Sequence, residues 1–461
     1  MNQDFSRIHQ FSIKDTNIVL DINSGIVHSL SPEAALYLRS WADAEGSRER
    51  LPELLKGEIA AEELQEISSG LDALIEQGML FSAGEELAGY ELPEETVVKA
   101  LCLHVAHDCN LRCAYCFAGT GPFGSDRSMM DFSTGQAALD FLFAASGPRK
   151  HLEVDYFGGE PLLNFELVRQ LSAYGKAKAA SLGKELKQTL TTNGVLLDQS
   201  KIEFLEKEGI YLILSIDGRP EVHDRMRPFA GSKGSYDIVC SAIRKYVQQQ
   251  SSDTYFVRGT YTRYNLDFVE DVRHLVEQGF TRLSLEPVVA SPEEHYALRE
   301  EDLPQIFDQY DQLAEQLLVY DRQNREVQFF HFNIDLDKGP CLPKRLTGCG
   351  AGHEYLAVSP MGELYPCHQF MNEKALRVGD VCAGITNPEP GRSFRRAHVL
   401  NKEHCRECWA RFLCSGGCHA NALHLNSDIL KPYELGCSIQ RKRLEAAIYL
   451  QVKRWEALQE E

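Results

Sequence analysis

The sequence predicts an α/β protein built around a mainly parallel sheet, and three observations carry that expectation. Between positions 97 and 286, six short apolar segments alternate with helical segments at the spacing of βα units. Glycine and polar motifs follow these apolar segments, at the carboxyl edge where parallel folds bind ligands. The chain has 461 residues, enough for two or three domains. Right-handed crossovers either curl such a sheet into a partial barrel or leave it open.

Residues 1–90 read as a separate small module. Segments 11–20 and 26–30 are apolar and flank Asp21-Ile22-Asn23-Ser24-Gly25, a run suited to a hairpin turn. Ser31-Pro32-Glu33 opens a helix, with Ser as cap and Pro in the first turn. Segment 59–80 is helical, with Leu64, Ile67, Leu71, Leu74 and Ile75 at helical spacing. Strands followed by small helices suit either a winged-helix-like peptide-binding module or a structural appendage.

The βα rhythm occupies 96–320. Strands are expected at 97–105, 152–157, 186–191, 211–216, 255–260 and 282–286. Helices are expected at 132–144, 165–180, 200–208, 236–247 and 266–277, and a further one at 303–320 leads out. In the third region, 321–461, segments 355–358 and 364–365 pair as a hairpin across Met361-Gly362. A long charged helix at 440–457 serves as a docking or capping element.

Composition excludes several classes of function. Formal net charge is -19, which argues against general affinity for nucleic acid. There is no run of 18 apolar residues and no apolar signal segment after Met1, so a cytoplasmic protein without membrane contact is expected. Fourteen cysteines in such a chain do not read as a disulfide framework, and nine of them lie between Cys341 and Cys437. A metal-rich C-terminal region accounts for them better.

The chemistry concentrates at Cys109, Cys113 and Cys116, spaced C-x3-C-x2-C just after the first strand of the βα region, with Tyr115 between the last two. Three thiolates so close together converge on one metal centre, iron–sulfur or zinc. Gly158-Gly159-Glu160-Pro161 follows the second strand; glycine permits close backbone approach to a ligand and Glu160 accepts from an ammonium. Thr192 and Asn193 follow the third strand, and Ser215 and Asp217 the fourth. Arg227 and Arg258 either pair with a ligand carboxylate or form structural ion pairs. Glu286 lies on the pocket floor without an assigned role. His104 and His107 flank the cysteines and either pack or act as bases. Cys102, Cys240 and Cys382 read as small core or surface residues.

These motifs resemble the signature of radical S-adenosylmethionine enzymes. The resemblance implies a partial (β/α)6 TIM-like barrel in which Cys109, Cys113 and Cys116 bind a [4Fe–4S] cube. The amino and carboxylate groups of S-adenosylmethionine then chelate the fourth iron, and its reductive cleavage yields methionine and a 5′-deoxyadenosyl radical. By the same resemblance Tyr115, Gly158, Gly159, Glu160, Pro161, Thr192, Asn193, Ser215, Asp217 and Arg227 form the S-adenosylmethionine site. The downstream pattern resembles the SPASM domain: Cys349, twelve residues, Gly362, four residues, Cys367, then Cys405-x2-Cys408-x5-Cys414-x3-Cys418, and Cys437. It implies two auxiliary [4Fe–4S] clusters, three in all. One would use Cys349, Cys367 and Cys418, with Cys341 either as fourth ligand or absent, leaving an open iron. The other would use Cys405, Cys408, Cys414 and Cys437.

The stretches NIVLDINSGIVHSL, CLHVAHDCNLRCAYCFAGTGPFG and GPCLPKRLTGCGAGHEYLAVSPMGELYPCHQF resemble maturases of six-cysteine peptides and related thioether-peptide maturases. That resemblance implies that the N-terminal module holds the leader of a ribosomally made, cysteine-containing peptide as an added strand. The peptide's cysteine sulfur would be joined to a carbon of an acceptor residue, with electrons supplied by a low-potential donor such as ferredoxin or flavodoxin. Formylglycine formation of the anaerobic sulfatase-maturating type, and peptide C–C crosslinking or epimerisation, are the alternative reactions.

Overall fold

The computed structural model describes residues 3–84, 97–119, 121–124, 126–249, 254–336 and 342–460. The chain begins with β1 (Ile8–Ile13), β2 (Thr16–Asp21) and β3 (Val27–Leu30), an antiparallel sheet in that order. The β2–β3 hairpin is the expected one. The expected single strand over 11–20 is instead two, because Lys14 takes a left-handed backbone (φ 51°) and folds β1 back onto β2. Helices α1 (Pro32–Asp43), α2 (Leu51–Leu54) and α3 (Ala61–Glu76) follow. Ser31 Oγ accepts from Ala34 N at 3.1 Å, and Pro32 occupies the first turn of α1, where a missing N–H costs nothing.

The module's sheet serves two cores. Val19 packs with Tyr37, Leu38, Trp41 and Leu71 of the small helices. Ile18 and Leu20, on the opposite face by strand alternation, join the main core of the chain. His9 on β1 stacks on Trp409, with ring centroids 3.9 Å apart, and its Nε2 lies 2.9 Å from Glu445. Arg411 Nη2 donates to Asn23 Oδ1 at 3.1 Å. The module is therefore fixed to the C-terminal region as well as to the barrel.

The central run is β4 (Ala100–Ala106), α4 (Phe132–Ala145), β5 (His151–Gly158), α5 (Phe165–Ser181), β6 (Glu185–Thr192), α6 (Gln199–Lys207), β7 (Tyr211–Ser215), α7 (Pro220–Met226), α8 (Tyr236–Gln249), β8 (Tyr255–Tyr261), α9 (Phe268–Glu277), β9 (Arg282–Pro287) and α10 (Leu303–Arg322). The six expected strands are present and pair in parallel in chain order, as a partial barrel requires. Every residue of β4 is buried, the mark of a parallel strand covered on both faces. Asp131 and Asp198 cap α4 and α6, accepting from Thr134 N at 2.7 Å and Lys201 N at 3.0 Å. Helix α7 was not expected; Pro220 at its start and its seven-residue length leave little periodic signal.

The sheet does not end with the six strands. Beyond β9 comes β10 (Gln328–Phe329), and beyond β4 come β11 (Tyr355–Val358), β12 (Glu363–Tyr365), β13 (Gly379–Asp380) and β14 (Gly384–Ile385). The expected β11–β12 hairpin forms, with Val358 opposite Leu364. Its first strand pairs in parallel with β4, Leu356 opposite Leu101, so the cysteine-rich region is continuous with the barrel sheet. Short helices α11 (Leu342–Thr347), α12 (Glu389–Arg396), α13 (Glu403–Arg406), α14 (Arg411–Cys414) and α15 (His419–Asn426) lead to α16 (Glu434–Glu460). Helix α16 lies along α10, joined by Lys442–Asp311 at 2.7 Å and Arg454–Asp321 at 2.8 Å. Among the described residues no helix is long and apolar enough to cross a membrane.

Trp41 is 2% exposed at the centre of the small core, and its indole N–H donates to Gly46 O at 2.9 Å. Trp41→Ala should cost about 3–5 kcal/mol, enough to unfold so small a core. Hydrogen exchange should then show protection lost across residues 3–84 and kept in β4–β9.

Candidate functional site

The three cysteines lie in the loop after β4, and two neighbouring segments fix that loop. From one side, Ala114 N and Arg112 N donate to Met226 O and Pro228 O, both at 2.8 Å. From the other side, Gly159 N donates to Ala106 O and Glu160 N to Asp108 O, again both at 2.8 Å. Sequence reasoning gave the glycines to a ligand. The structure gives them to the cysteine loop: a Cβ on Gly158 would stand 2.2 Å from Ala106 O, and one on Gly159 2.2 Å from Asp108 O.

The thiols lie within one another's electrostatic reach. Burial pushes Cys109 up to about 12, with Glu160, Cys113 and Cys116 adding to the rise. Burial pushes Cys113 up to about 11, offset in part by Arg227. Leu111 N and Asn193 Nδ2 lie 3.4 and 3.6 Å from Cys109 Sγ, directed as donors to sulfur. Amide donors around a three-thiol loop fit an iron–sulfur cube, whose thiolates accept such bonds. Among the described residues, no three His, Cys, Asp or Glu side chains stand close enough to share a single metal ion.

Glu160 is fully buried behind this loop. One carboxylate oxygen accepts from Leu162 N (2.9 Å) and Thr192 Oγ1 (2.7 Å), the other from Asn193 N (2.8 Å). Burial raises its pKa and these donors hold part of the rise back. A carboxylate has about four acceptor positions, so three donors leave room for one more, such as an ammonium. Pro161 is buried at the start of the following short turn. Asn193 Nδ2 also donates to Asn110 Oδ1 at 2.7 Å, tying the end of β6 to the cysteine loop.

Tyr115, Asp217 and Arg227, three of the expected ligand contacts, are bonded to one another. Tyr115 OH donates to Asp217 Oδ2 at 2.6 Å and accepts from Arg227 Nη1 at 2.9 Å; Arg227 lies 3.5 Å from Asp217 Oδ1. Asp217 Oδ1 also accepts from Thr260 N at 3.1 Å. Asp217 has no exposed surface, so its carboxylate is spent on holding the cysteine loop to β7 and β8. Ser215, by contrast, alternates with the buried Leu214 onto the inner face of the barrel.

Below these residues the inner face is lined by Phe157, Asp155, Thr189, Phe256, Arg258 and Glu286. Asp155 accepts a hydrogen bond from Thr189 Oγ1. Burial, with Glu153 adding and Lys187 opposing, raises Asp155 to about 7. His104 Nδ1 lies 3.1 Å from His107 Nε2, and both rings pack on Phe123. Burial holds both histidines below the ordinary imidazole range, which suits packing groups.

The downstream cysteines gather in two sets. Cys349 and Cys418 lie within electrostatic reach of Cys367, and Cys405, Cys408 and Cys414 within that of Cys437. A cavity of about 140 Å³ opens among the second four. A void bordered by four thiols fits an iron–sulfur cluster. Cys341 lies outside the described residues. Cys102 and Cys240 are buried and Cys382 is exposed; Cys102 lies within electrostatic reach of Cys367. His368, next to Cys367, contacts Phe157 (5.1 Å between centroids) and Phe117 (5.5 Å), bringing the first set to the barrel mouth. Sequence reasoning missed His368 and also Arg443, which reaches from α16 to Glu286; nothing in the local pattern marks either.

Residues 103–276 match the model of the radical SAM superfamily. The chain is 24% identical to the serine-type anaerobic sulfatase-maturating enzyme of Klebsiella aerogenes, over 70% of this chain and 83% of that one. Its fold is similar to native anSMEcpe with bound AdoMet and Cp18Cys peptide (TM-score 0.64, 20% identity, 78% of this chain and 99% of that one). It is also similar to Streptococcus suis SuiB bound to precursor peptide SuiA (TM-score 0.52, 17% identity, 94% and 98%).

Asp217→Asn removes the charge that compensates buried Arg227 and should cost about 3–5 kcal/mol, read by chemical denaturation beside the iron content. Asp155 has a folded pKa raised above the unfolded value of 3.8. The native state therefore holds more protons between about pH 4 and 7, and stability falls as pH rises through that window. Asp155→Asn should flatten this slope and gain most over the parent at pH 8, measured as melting temperature against pH.

Proposed function

We propose that this radical SAM superfamily enzyme oxidises a residue of a ribosomally made peptide, which it holds through the peptide's leader. The catalytic, oxidoreductase-type character follows from the superfamily. The observation that supports a peptide substrate is the N-terminal module. Its strand β3 is an edge strand, paired on one side only among the described residues, a geometry that suits an added peptide strand. The module is seated on both the barrel and the cysteine-rich region, so a leader bound at β3 is tethered near both.

In this reading Cys109, Cys113 and Cys116 hold a [4Fe–4S] cluster. Glu160 receives the amino group of S-adenosylmethionine, with Thr192 and Asn193 N fixing its carboxylate and Ser215 and Asn193 bordering the ligand. Held by these residues, a reduced cluster with S-adenosylmethionine would supply radical hydrogen-abstraction chemistry at this edge of the barrel. The protein's own work is orientation and exclusion of water. The buried Tyr115–Asp217–Arg227 network sets the height of the thiols over the strands, and Phe117, Phe157 and His368 border the mouth. Cys349, Cys367 and Cys418, with Cys405, Cys408, Cys414 and Cys437, would hold two auxiliary clusters that accept the second electron, while ferredoxin or flavodoxin supplies the first.

Two products fit a two-electron oxidation of a peptide. The sulfatase-maturating relative and the higher TM-score of the anSMEcpe structure support formylglycine made from a Cys or Ser. The module supports a thioether between Cys sulfur and an acceptor carbon. The SuiB complex with its precursor peptide spans 94% of this chain, whereas anSMEcpe leaves about a fifth of it outside.

Anaerobically reconstituted, reduced enzyme given S-adenosylmethionine should form 5′-deoxyadenosine, and Cys113→Ala should form none. Absence of 5′-deoxyadenosine from fully clustered wild type, with or without peptide, overturns the reading. Product mass and free-thiol count together separate the reactions, since formylglycine from Ser loses two hydrogens as a thioether does but keeps every thiol. A thioether loses two hydrogens and its thiol while keeping sulfur; formylglycine from Cys loses the sulfur; epimerisation leaves mass unchanged.

A further inference from the structure

The inner face of the barrel carries an arginine whose charge the fold does not use up. Along β8 the side chains alternate: Val257 is buried toward the helices, and Arg258 stands on the inner face with Phe256 and Thr260. Its neighbours in register are Ser215 on β7 and Ser284 on β9, both small. The Arg258 side chain is 52% exposed although it projects into the barrel, so the guanidinium borders open space there.

Among the described residues its one ion pair is a contact of 3.8 Å with Glu286. That is too long for a hydrogen bond. Glu286 is already held more closely, by His331 at 3.0 Å and by Arg443 at 3.3 Å. Two guanidinium groups thus face one carboxylate, and the cluster is left one positive charge in excess. Arg443 Nε, in addition, is buried without a hydrogen-bond partner.

The position is between the two chemistries of the site. Ser215 opposite Arg258 leads in two residues to Asp217, which is bonded to Tyr115 of the cysteine loop. On the other side His368, adjacent to Cys367, lies in the electrostatic field of Arg258. Beside the guanidinium, Phe256 and Phe330 meet edge to face at 5.4 Å and offer an apolar wall. A planar cation next to an apolar wall suits a carboxylate on a short apolar stem.

We propose that Arg258 forms a carboxylate subsite inside the barrel, which takes the acidic side chain of an Asp or Glu in the peptide presented for oxidation. The inference rests on the peptide reading above and names the class of residue brought to the radical. Arg258 acts here as a specificity-determining residue. The same carboxylate chemistry is offered by the methionine end of S-adenosylmethionine, and the test separates the two sources.

The reconstituted, oxidised full-length enzyme is saturated with S-adenosylmethionine and titrated with N-acetyl-Asp-N-methylamide and N-acetyl-Glu-N-methylamide, and with their Asn and Gln counterparts. Binding is followed by saturation-transfer NMR, and S-adenosylmethionine binding by calorimetry. At least one acid should bind about tenfold tighter than its amide, the size of a charge-assisted hydrogen bond. Arg258→Gln should erase that preference and leave the affinity for S-adenosylmethionine intact. Arg258→Lys, which keeps the charge and loses the planar fork, should retain only part of it. Equal binding of acids and amides by the wild type overturns the proposal, and this comparison needs no variant to fold. Loss of S-adenosylmethionine affinity in Arg258→Gln, with the acid preference kept, overturns it in favour of the methionine carboxylate. Because the readout is binding, a sample that makes no 5′-deoxyadenosine fails the peptide-oxidation reading without deciding this one.

Discussion

The structure depends on a contact between two backbones. The turn after β5 lies so close to the loop after β4 that two peptide N–H groups bond directly to the carbonyls of Ala106 and Asp108. A side chain at either Gly158 or Gly159 would collide with those carbonyls. Glu160 follows at once, so the same contact that fixes the three thiols also fixes the carboxylate beside them. Thr192 and Asn193 then hold that carboxylate from β6, and Asn193 reaches back to Asn110 and Cys109. One close approach thus places groups from three strands with little freedom between them.

Charge is used inside this structure to specify geometry. Buried ion pairs recover little net stability after the cost of desolvation, but a mispaired buried charge is heavily penalised. The Tyr115–Asp217–Arg227 network and the Arg219 pairs with Asp267 and Asp271 both lie at the carboxyl ends of β7 and β8. They allow one position of the cysteine loop against the strand ends. The Glu286 cluster follows another pattern: Arg443 from the last helix and His331 satisfy the carboxylate, so Arg258 from the barrel wall is not needed for that task.

The barrel was legible because its signals are local. Periodicity located each of the six strands and the long helices to within a few residues, since a buried parallel strand is apolar on both faces and a surface helix on one. The cysteine groups were legible because metal ligands are restricted in type and spacing. What escaped the sequence is of longer range. The bonds of Asp217 and Arg227 to Tyr115 join loops more than a hundred residues apart and have no local signature. The turn at Lys14 opens the polar run Lys14-Asp15-Thr16-Asn17 between two apolar stretches, and it depends on a left-handed backbone that lysine rarely takes. The pairings of Leu356 with Leu101 and of Arg443 with Glu286 join segments far apart along the chain and have no local signature.

The first of those pairings bears on how the chain is made. Strand β4 is the first strand of the barrel to leave the ribosome, yet one of its edges waits for β11, some 250 residues later. Until then a largely apolar strand has its hydrogen-bonding groups bare on that side, the kind of edge that recruits other chains. Pairing over such a separation is slow to find, and domains generally fold as they emerge. The nascent barrel is thus an adhesive intermediate during synthesis. The segment that closes it also carries Cys349 and Cys367 at its two flanks, so sealing the edge brings together two of the three thiols of the first auxiliary set.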